Sequence, residues 1–346
     1  MNRSSTVHLL LSLALGVSLV MATTVGSVAI PWGAIVSVIL AKVTGLTTMA
    51  PVADQQAYDA IVMHLRLPRV LLAGLVGGGL ALAGAVLQGL FRNPMADPGL
   101  IGVSGGGALG AVVAVLSGAA ANALWSLPLM AFVGAAGATW TIYRLSTQAG
   151  RTPLATLLLA GLAVSAFASA VTSLLLSLAQ DIFALREVLF WLLGGLDGRG
   201  WPHVGLAAGP ILAGGLALML YGRELNIVAA AGEEGAASLG VDMQWAKRRA
   251  LVLTALVTGA AVSVSGIVGF VGLIVPHIVR LLVGPDHRVL LSASFLGGAC
   301  FLIWADLATR TLLPTQELRL GVVTALLGAP FFMYLLQRYR LRTEEL

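Results

Sequence analysis

The chain has 346 residues, 58% of them hydrophobic and only 10% charged, with a formal net charge of +5 and a mean hydropathy of +0.95. A soluble domain carries about 25% charged residues, so the composition excludes one; continuous rather than alternating apolar stretches also exclude a transmembrane β-barrel. The basic residues are scattered at the ends of apolar stretches, which excludes a nucleic-acid patch. The single Cys300 excludes an intrachain disulfide and a cysteine-based metal cluster.

A bilayer-spanning helix takes roughly 20 residues. Ten apolar segments can be placed, near 7–30, 67–91, 99–118, 123–143, 153–179, 202–221, 246–266, 268–283, 288–309 and 318–337. The expected fold is an all-α polytopic membrane protein of about ten transmembrane helices in a single domain, 1–346. The first segment follows Arg3, is too long for a signal-peptide core and lacks a well-placed small-x-small site, so it is expected to be retained as a span. Residues 42–65 form the longest polar connection. The runs Gly77-Gly-Gly79 and Gly105-Gly-Gly107 lie in or beside spans, where small residues let backbones approach; they are not nucleotide loops.

Asn93-Pro-Met-Ala-Asp-Pro98 interrupts the second and third spans. Two prolines within five residues enforce a turn and bar helix continuation. The fifth span carries Ser165, Ser169, Thr172, Ser173 and Ser177 on one helical face. Such a face serves close helix packing or lines a polar route, and the residues alone leave both open. Between Asp181 and Arg199 the apolar Val188-Leu-Phe-Trp-Leu-Leu193 suits a short helix at the membrane surface. The loop from Gly222 to Arg249 contains Ala231-Gly-Glu-Glu-Gly-Ala-Ala-Ser-Leu-Gly-Val241, a pattern for two very short helices meeting at a sharp turn, with Gly240 as a helix stop. It is either a solvated connector or a seat for a partner. Gly84 precedes Pro94 by ten positions, and Gly266 precedes Pro276 by the same interval. Weak internal symmetry of this kind marks transporter folds built from repeated halves, here about 66–179 and 246–338.

Lysine and arginine set the orientation. With a cytoplasmic amino terminus, thirteen basic residues fall on the inner face and seven on the outer, among them Lys42, Arg66, Arg69, Arg186, Arg199, Arg310 and Arg319. Both termini are then cytoplasmic. Arg66, Arg69 and Arg310 at the outer ends of spans are either interfacial anchors or a socket for an acidic partner, since a guanidinium grips a carboxylate through two parallel hydrogen bonds. Asp306 is the deepest charge, and Arg310 one turn later predicts an i,i+4 pair. A proton- or sodium-coupled carrier would be expected to bury more ionisable groups, so coupling from outside the bilayer is favoured. A P-loop needs Gly-Lys-Ser/Thr; alanine precedes both Lys42 and Lys247, so no such nucleotide site exists in this chain. His277 and the other histidines show no ligand spacing, and no metal is assigned.

Several of these motifs together, Arg66-Leu-Pro-Arg69, Phe91 to Pro98, Ala231 to Gly240 and Gly266 to Arg280, resemble the permeases of type II ABC importers for vitamin B12, haem and ferric siderophores. The resemblance covers about Arg66 to Arg340. It implies a homodimer in a bacterial inner membrane, two copies of a cytoplasmic ATP-binding subunit that use the ATP and Mg, and a periplasmic substrate-binding protein. The permease itself would bind no cofactor and would be no enzyme. By the same resemblance, Arg66, Arg69 and Arg310 would receive glutamates of the binding protein. Glu233, Glu234, Gly235, Ala236, Ala237, Ser238, Leu239 and Gly240 would form the coupling loop. Asn93 and Met95 would belong to the inner gate, while Ser165, Ser169, Thr172 and Ser173 would line the route. Phe190 to Trp201 looks most like haem-importing members, which puts haem ahead of ferric siderophore and cobalamin. The stretch Glu317-Leu-Arg-Leu-Gly321 departs from the family's Glu-Leu-Pro pattern by Arg319, which adds an outer charge. A stand-alone carrier or channel is the alternative of another class, and a membrane enzyme lacks any cluster of nucleophile, base or metal ligands.

Overall fold

The computed structural model describes residues 3–26, 30–31, 33–38, 55–147, 152–240, 242–313 and 317–344. Val241 and residues 42–54 of the expected polar connection, Lys42 among them, lie outside them. Among the described residues all regular structure is helical. The principal helices are α1 (Arg3–Thr24), α2 (Leu67–Leu90), α3 (Val103–Leu116), α4 (Ser126–Ser146), α5 (Leu154–Leu178), α6 (Ile182–Leu192), α7 (Trp201–Met219), α8 (Gly222–Ser238), α9 (Met243–Ser265), α10 (Val271–Val283), α11 (His287–Thr311) and α12 (Leu320–Glu344). Among the described residues, seven helical stretches are long and apolar enough to cross a membrane. They include α1, α5, α7, α9, α11, the first 18 residues of α12, and a 34-residue run, Ala57–Leu90, that ends in α2. α3 and α10 are apolar but have only 14 and 13 residues. Length and composition thus support seven of the ten expected spans. The short amphipathic helix expected after the fifth span is α6.

α2 is the centre of the bundle, with nearly all of its residues from Val76 to Leu90 buried. Successive helical residues point about 100° apart, so three consecutive glycines open three sides of one helix. Gly77 lies against the Gly298 carbonyl and Leu302 of α11, Gly78 against the Phe295 ring of α11, and Gly79 against Ile211 of α7 and Val257 of α9. The second triplet repeats the device: Gly105 meets Ser165 of α5, Gly106 meets Gly134 and Ala138 of α4, and Gly107 approaches Val262 of α9. Both runs are packing surfaces, as their position in the sequence implied.

Pro276 lies buried inside α10 and has no N–H to offer the Gly272 carbonyl four residues earlier. Gln88 of α2, itself buried, fills the gap: its Nε2 donates to Gly272 O at 3.2 Å and Leu273 O at 3.2 Å. In hydrocarbon every backbone polar group must find a partner within the protein, so the side chain of one helix completes the ladder of another. Gly84 of α2 is seated on the same Gly272 carbonyl.

Close backbone seating gives a testable contrast. Gly298→Val should destabilise by about 1–3 kcal/mol through overpacking against α2, read as a lowered melting temperature in detergent. Gly16→Val on α1, where an added Cβ meets nothing within 4 Å, should leave the melting temperature unchanged.

Candidate functional site

One end of the α2–α11 pair holds a cluster of ionised side chains. Arg69, on the first turn of α2, donates from Nε to Asp306 Oδ1 at 2.9 Å and Oδ2 at 3.2 Å, and from Nη1 to Glu317 Oε2 at 3.1 Å. Its Nη2 forms an ion pair with Asp197 Oδ1 at 2.9 Å. Asp197 also accepts from Arg319 Nη1 at 2.5 Å, and the Arg319 guanidinium stacks on the Phe190 ring of α6, 3.8 Å from its centroid. Asp306 completes the expected i,i+4 pair with Arg310 at 3.2 Å. A side chain only 1% exposed, Asp306 is the buried anion on which both arginines converge. Burial first, and then the adjacent Glu317, raise the Asp197 carboxyl to about 6 against the opposing charges of Arg69 and Arg319.

The three expected docking arginines have different occupations. Arg66 is buried, and its Nη1 donates to the Thr23 and Thr24 carbonyls at 2.9 and 2.8 Å. Arg310 Nη2 donates to Ala22 O at 3.1 Å. These are carbonyls of the last turn of α1, which an isolated helix leaves without partners and which a cation favours through the helix dipole. Arg69 holds a partner that is largely open to its surroundings, Glu317, whose side chain is 49% exposed. Asp197 and Glu317 were absent from the candidate residues. No spacing rule joins a loop after α6 to another before α12.

At the other end of the bundle, α8 turns sharply at Gly232, where φ is +73° and ψ −178°. Only glycine adopts that geometry readily, and it separates a longer arm, Gly222 to Ala231, from a short one ending at Ser238. Gly240, with φ +83°, stops the chain's helical path. The two-helix hairpin is therefore as expected. Glu233 is paired with Lys247 of α9 at 2.6 Å, whereas Glu234, Ala237, Ser238, Leu239 and Gly240 are exposed, Gly235 is half-buried, and Ala236 is packed beneath them with Val228 and Met243. Asn226 on the long arm donates to Asp286 Oδ1 at 2.6 Å and accepts from the His287 backbone N–H at 2.8 Å, which ties α8 to the start of α11. Asn226 and the Arg288 N–H hold the Asp286 carboxyl below the usual carboxylate range.

The turn after α2 adjoins this hairpin, because the Arg92 guanidinium lies beside Gly232. Asn93 folds back so that its Oδ1 accepts from Met95 N at 2.9 Å, and Asp97 Oδ1 accepts from Gly99 N at 2.7 Å at the start of a 3-10 turn. Asn93 and Met95 are both half-buried. On α5 the hydroxyl stripe divides: Thr172 is buried, Ser165 half-buried against Gly105 of α3, and Ser169 and Ser173 exposed on a face with Leu162.

The model of the FecCD transport family matches residues 13–338. The chain belongs to the FecCD transport family. It is 48% identical over 284 residues to the cobalamin import system permease protein BtuC of Halobacterium salinarum, a match covering 82% of this chain and 75% of that one. It is 44% identical over 283 residues to the hemin transport system permease protein HmuU of Yersinia pestis, covering 81% and 84%. A Bacillus subtilis ABC transporter permease, the uncharacterized YvrB, is 42% identical over 328 residues, covering 94% and 91%. Among solved structures, an inward-facing metal-chelate type ABC transporter superposes with a TM-score of 0.80 at 31% identity, over 95% of this chain and 97% of that one. PsaBC from Streptococcus pneumoniae, at 18% identity and a TM-score of 0.58 over 81% and 94%, shares the fold. This FecCD protein is thus a multi-pass ABC transporter permease, which sets aside the stand-alone carrier.

Two predictions follow from the charged groups. Asp306→Asn leaves Arg69 and Arg310 without their buried anion and should cost about 3–5 kcal/mol, whereas Glu317→Gln, at an open pair, should cost no more than about 1 kcal/mol; chemical unfolding in detergent would separate them. Burial raises the Asp97 carboxyl to about 6 despite the Gly99 hydrogen bond. Its raised folded pKa favours protonation in the native state, so this contribution is fully present below about 3.8 and is lost as pH rises through about 6. Asp97→Asn keeps the acceptor for Gly99 and should flatten the dependence of melting temperature on pH between 4 and 6; an unchanged slope would refute the assignment.

Proposed function

We propose that this permease is the membrane subunit of a type II ABC importer for a bulky metal chelate. In this reading it works as a homodimer with two copies of a cytoplasmic ATP-binding subunit and a periplasmic substrate-binding protein. The bacterial inner membrane is its compartment, with both termini cytoplasmic, and residues 66–179 and 246–338 are its repeated halves. ATP and Mg belong to the partner subunit.

The observation that carries the reading is the α8 hairpin. It presents an exposed short arm, Glu234 to Gly240, and is fastened to α9 through Lys247, to α11 through Asn226, and to the turn after α2 beside Arg92. A partner that moves this arm displaces three core helices together. It also displaces the turn bearing Asn93 and Met95, which we assign to the inner gate. One hairpin per chain matches a two-site ATPase only if two chains assemble. The exposed α5 face with Ser169 and Ser173 then turns toward the route, backed by Ser165 and Thr172.

At the opposite end we assign docking to Arg69, with Arg66 and Arg310 behind it. Glu317 occupies the arginine in the free permease, and an incoming carboxylate of the binding protein exchanges with it. Carboxylates at an interface rim govern association rate and salt sensitivity more than final affinity. Haem is the first substrate. The Phe190 to Trp201 stretch and the 44% identity to the Yersinia pestis hemin permease support it. Cobalamin is the second, favoured by the 48% identity to the Halobacterium salinarum permease; a ferric siderophore is third.

Proteoliposomes holding this chain, its ATP-binding subunit and its binding protein should take up one of the three chelates only with ATP. Gly232→Val, which cannot adopt the turn, should cut uptake at least ~10-fold while binding-protein docking persists. Arg69→Ala should slow docking, and Glu317→Gln should accelerate it. Uptake that ignores ATP and both ends of the molecule would overturn the importer reading.

A further inference from the structure

A cavity of about 990 Å³ opens where the end of α7, the long arm of α8 and the start of α9 meet. That is the upper end of the range for ligand sites. Its wall carries three guanidiniums, Arg223, Arg248 and Arg249. All three side chains are exposed, and none has an ion pair among the described residues; Arg249 lies over the Trp245 ring instead. Two carboxylates share the wall. Asp242 caps α9 by accepting from Trp245 N at 3.0 Å, and Glu224 keeps a buried Oε2 with no hydrogen-bond partner. Three cations and two anions leave one net positive charge.

The floor is apolar, and it continues out of the cavity. Leu212, Leu216 and Leu220 stand exposed at four-residue intervals along α7, and Val252 stands exposed on the adjoining turn of α9. A soluble anion would use the guanidiniums and leave this stripe bare. A membrane lipid uses both, and basic pockets between helix ends are where anionic headgroups are held.

We propose that this cavity binds one anionic phospholipid of the phosphatidylglycerol type. Its phosphodiester sits among Arg223, Arg248 and Arg249, a headgroup hydroxyl donates to Glu224 Oε2, and its acyl chains lie along Leu212, Leu216, Leu220 and Val252. The single negative charge of that lipid matches the single net positive charge of the wall. The proposal goes beyond the transport reading and shares Leu239 and Gly240 of the cavity wall with the arm assigned there to the ATP-binding subunit.

The test is native mass spectrometry of the delipidated full-length chain, titrated with phosphatidylglycerol, with phosphatidylcholine of the same acyl chains, or with glycerol 3-phosphate. A parallel melting series would follow each addition. Wild-type protein should retain phosphatidylglycerol and melt higher with it. Arg223→Ala/Arg248→Ala, which spares the Arg249–Trp245 stack, should weaken retention about 30-fold, at the usual strength of two arginines near an anionic membrane. Arg144→Ala on α4 should leave retention unchanged. Should the double variant melt lower than wild type without lipid, Arg248→Gln alone should still weaken retention severalfold. Equal retention of phosphatidylcholine, or equal stabilisation by glycerol 3-phosphate, would overturn the lipid assignment. Loss of the bound lipid on adding the ATP-binding subunit would also overturn it and give the cavity to that subunit.

Discussion

The structure depends on how closely α2 can lie against α11. Gly77 and Gly298 each face the other's backbone carbonyl, with no side chain between them. That contact fixes an antiparallel register, and the register extends along the whole pair. Eight residues before Gly77 stands Arg69, and eight after Gly298 stands Asp306, its anion at 2.9 Å. At the other end Gly89 packs on the His287 ring. A shift of one residue at the glycines would rotate Arg69 by about 100° away from Asp306 and leave a charge buried without its partner, which is among the costliest defects a core can carry. Packing and electrostatics therefore select the same alignment.

A second constraint acts on the backbone. Because hydrocarbon offers no hydrogen bonds, a broken or buried helix end must find its partners within the protein, and here side chains of neighbouring helices supply some of them. Arg66 and Arg310 complete the end of α1, and Gln88 completes the interruption that Pro276 makes in α10. This explains why polar residues so rare in composition sit deep in the bundle. It also explains why Arg66 and Arg310 donate to carbonyls at the end of α1.

Much of this was legible in the sequence. Apolar length marked most of the spans, the glycine triplets marked the close approaches, the Asp306–Arg310 spacing marked an ion pair, and the alanines and leucine between glycines from Ala231 to Gly240 marked a hairpin. What could not be read was anything set by the contact of segments far apart in the chain. Asp197 and Glu317 meet Arg69 only because the loop after α6 and the loop before α12 converge on the first turn of α2. Arg319, which looked like an added outer charge, is consumed by Asp197 and by the Phe190 face. Gln88 carries no motif at all. Local periodicity reports which face of a helix is buried, and it is silent about which neighbour lies there.

The α2–α11 pair also gives the molecule a mechanical connection between its two ends. One end holds Arg69, Asp306 and the exposed Glu317; the other holds Arg92, Asp286 and His287, where α8 is fastened. Where Gly77 meets Gly298 no side chain separates the two backbones, and close packing of this kind transmits displacement between the helices. A displacement applied at α8 therefore has two outlets. It can tilt the pair as a unit, or it can be absorbed where the backbone departs from helix, at Arg92 with φ +50° and at Phe270 with φ +67°. Non-glycine residues reach that region only against steric cost. Arg92 lies two residues past the end of α2 and Phe270 caps the start of α10, so both departures from helix sit at helix ends and neither lies within the glycine-seated pair.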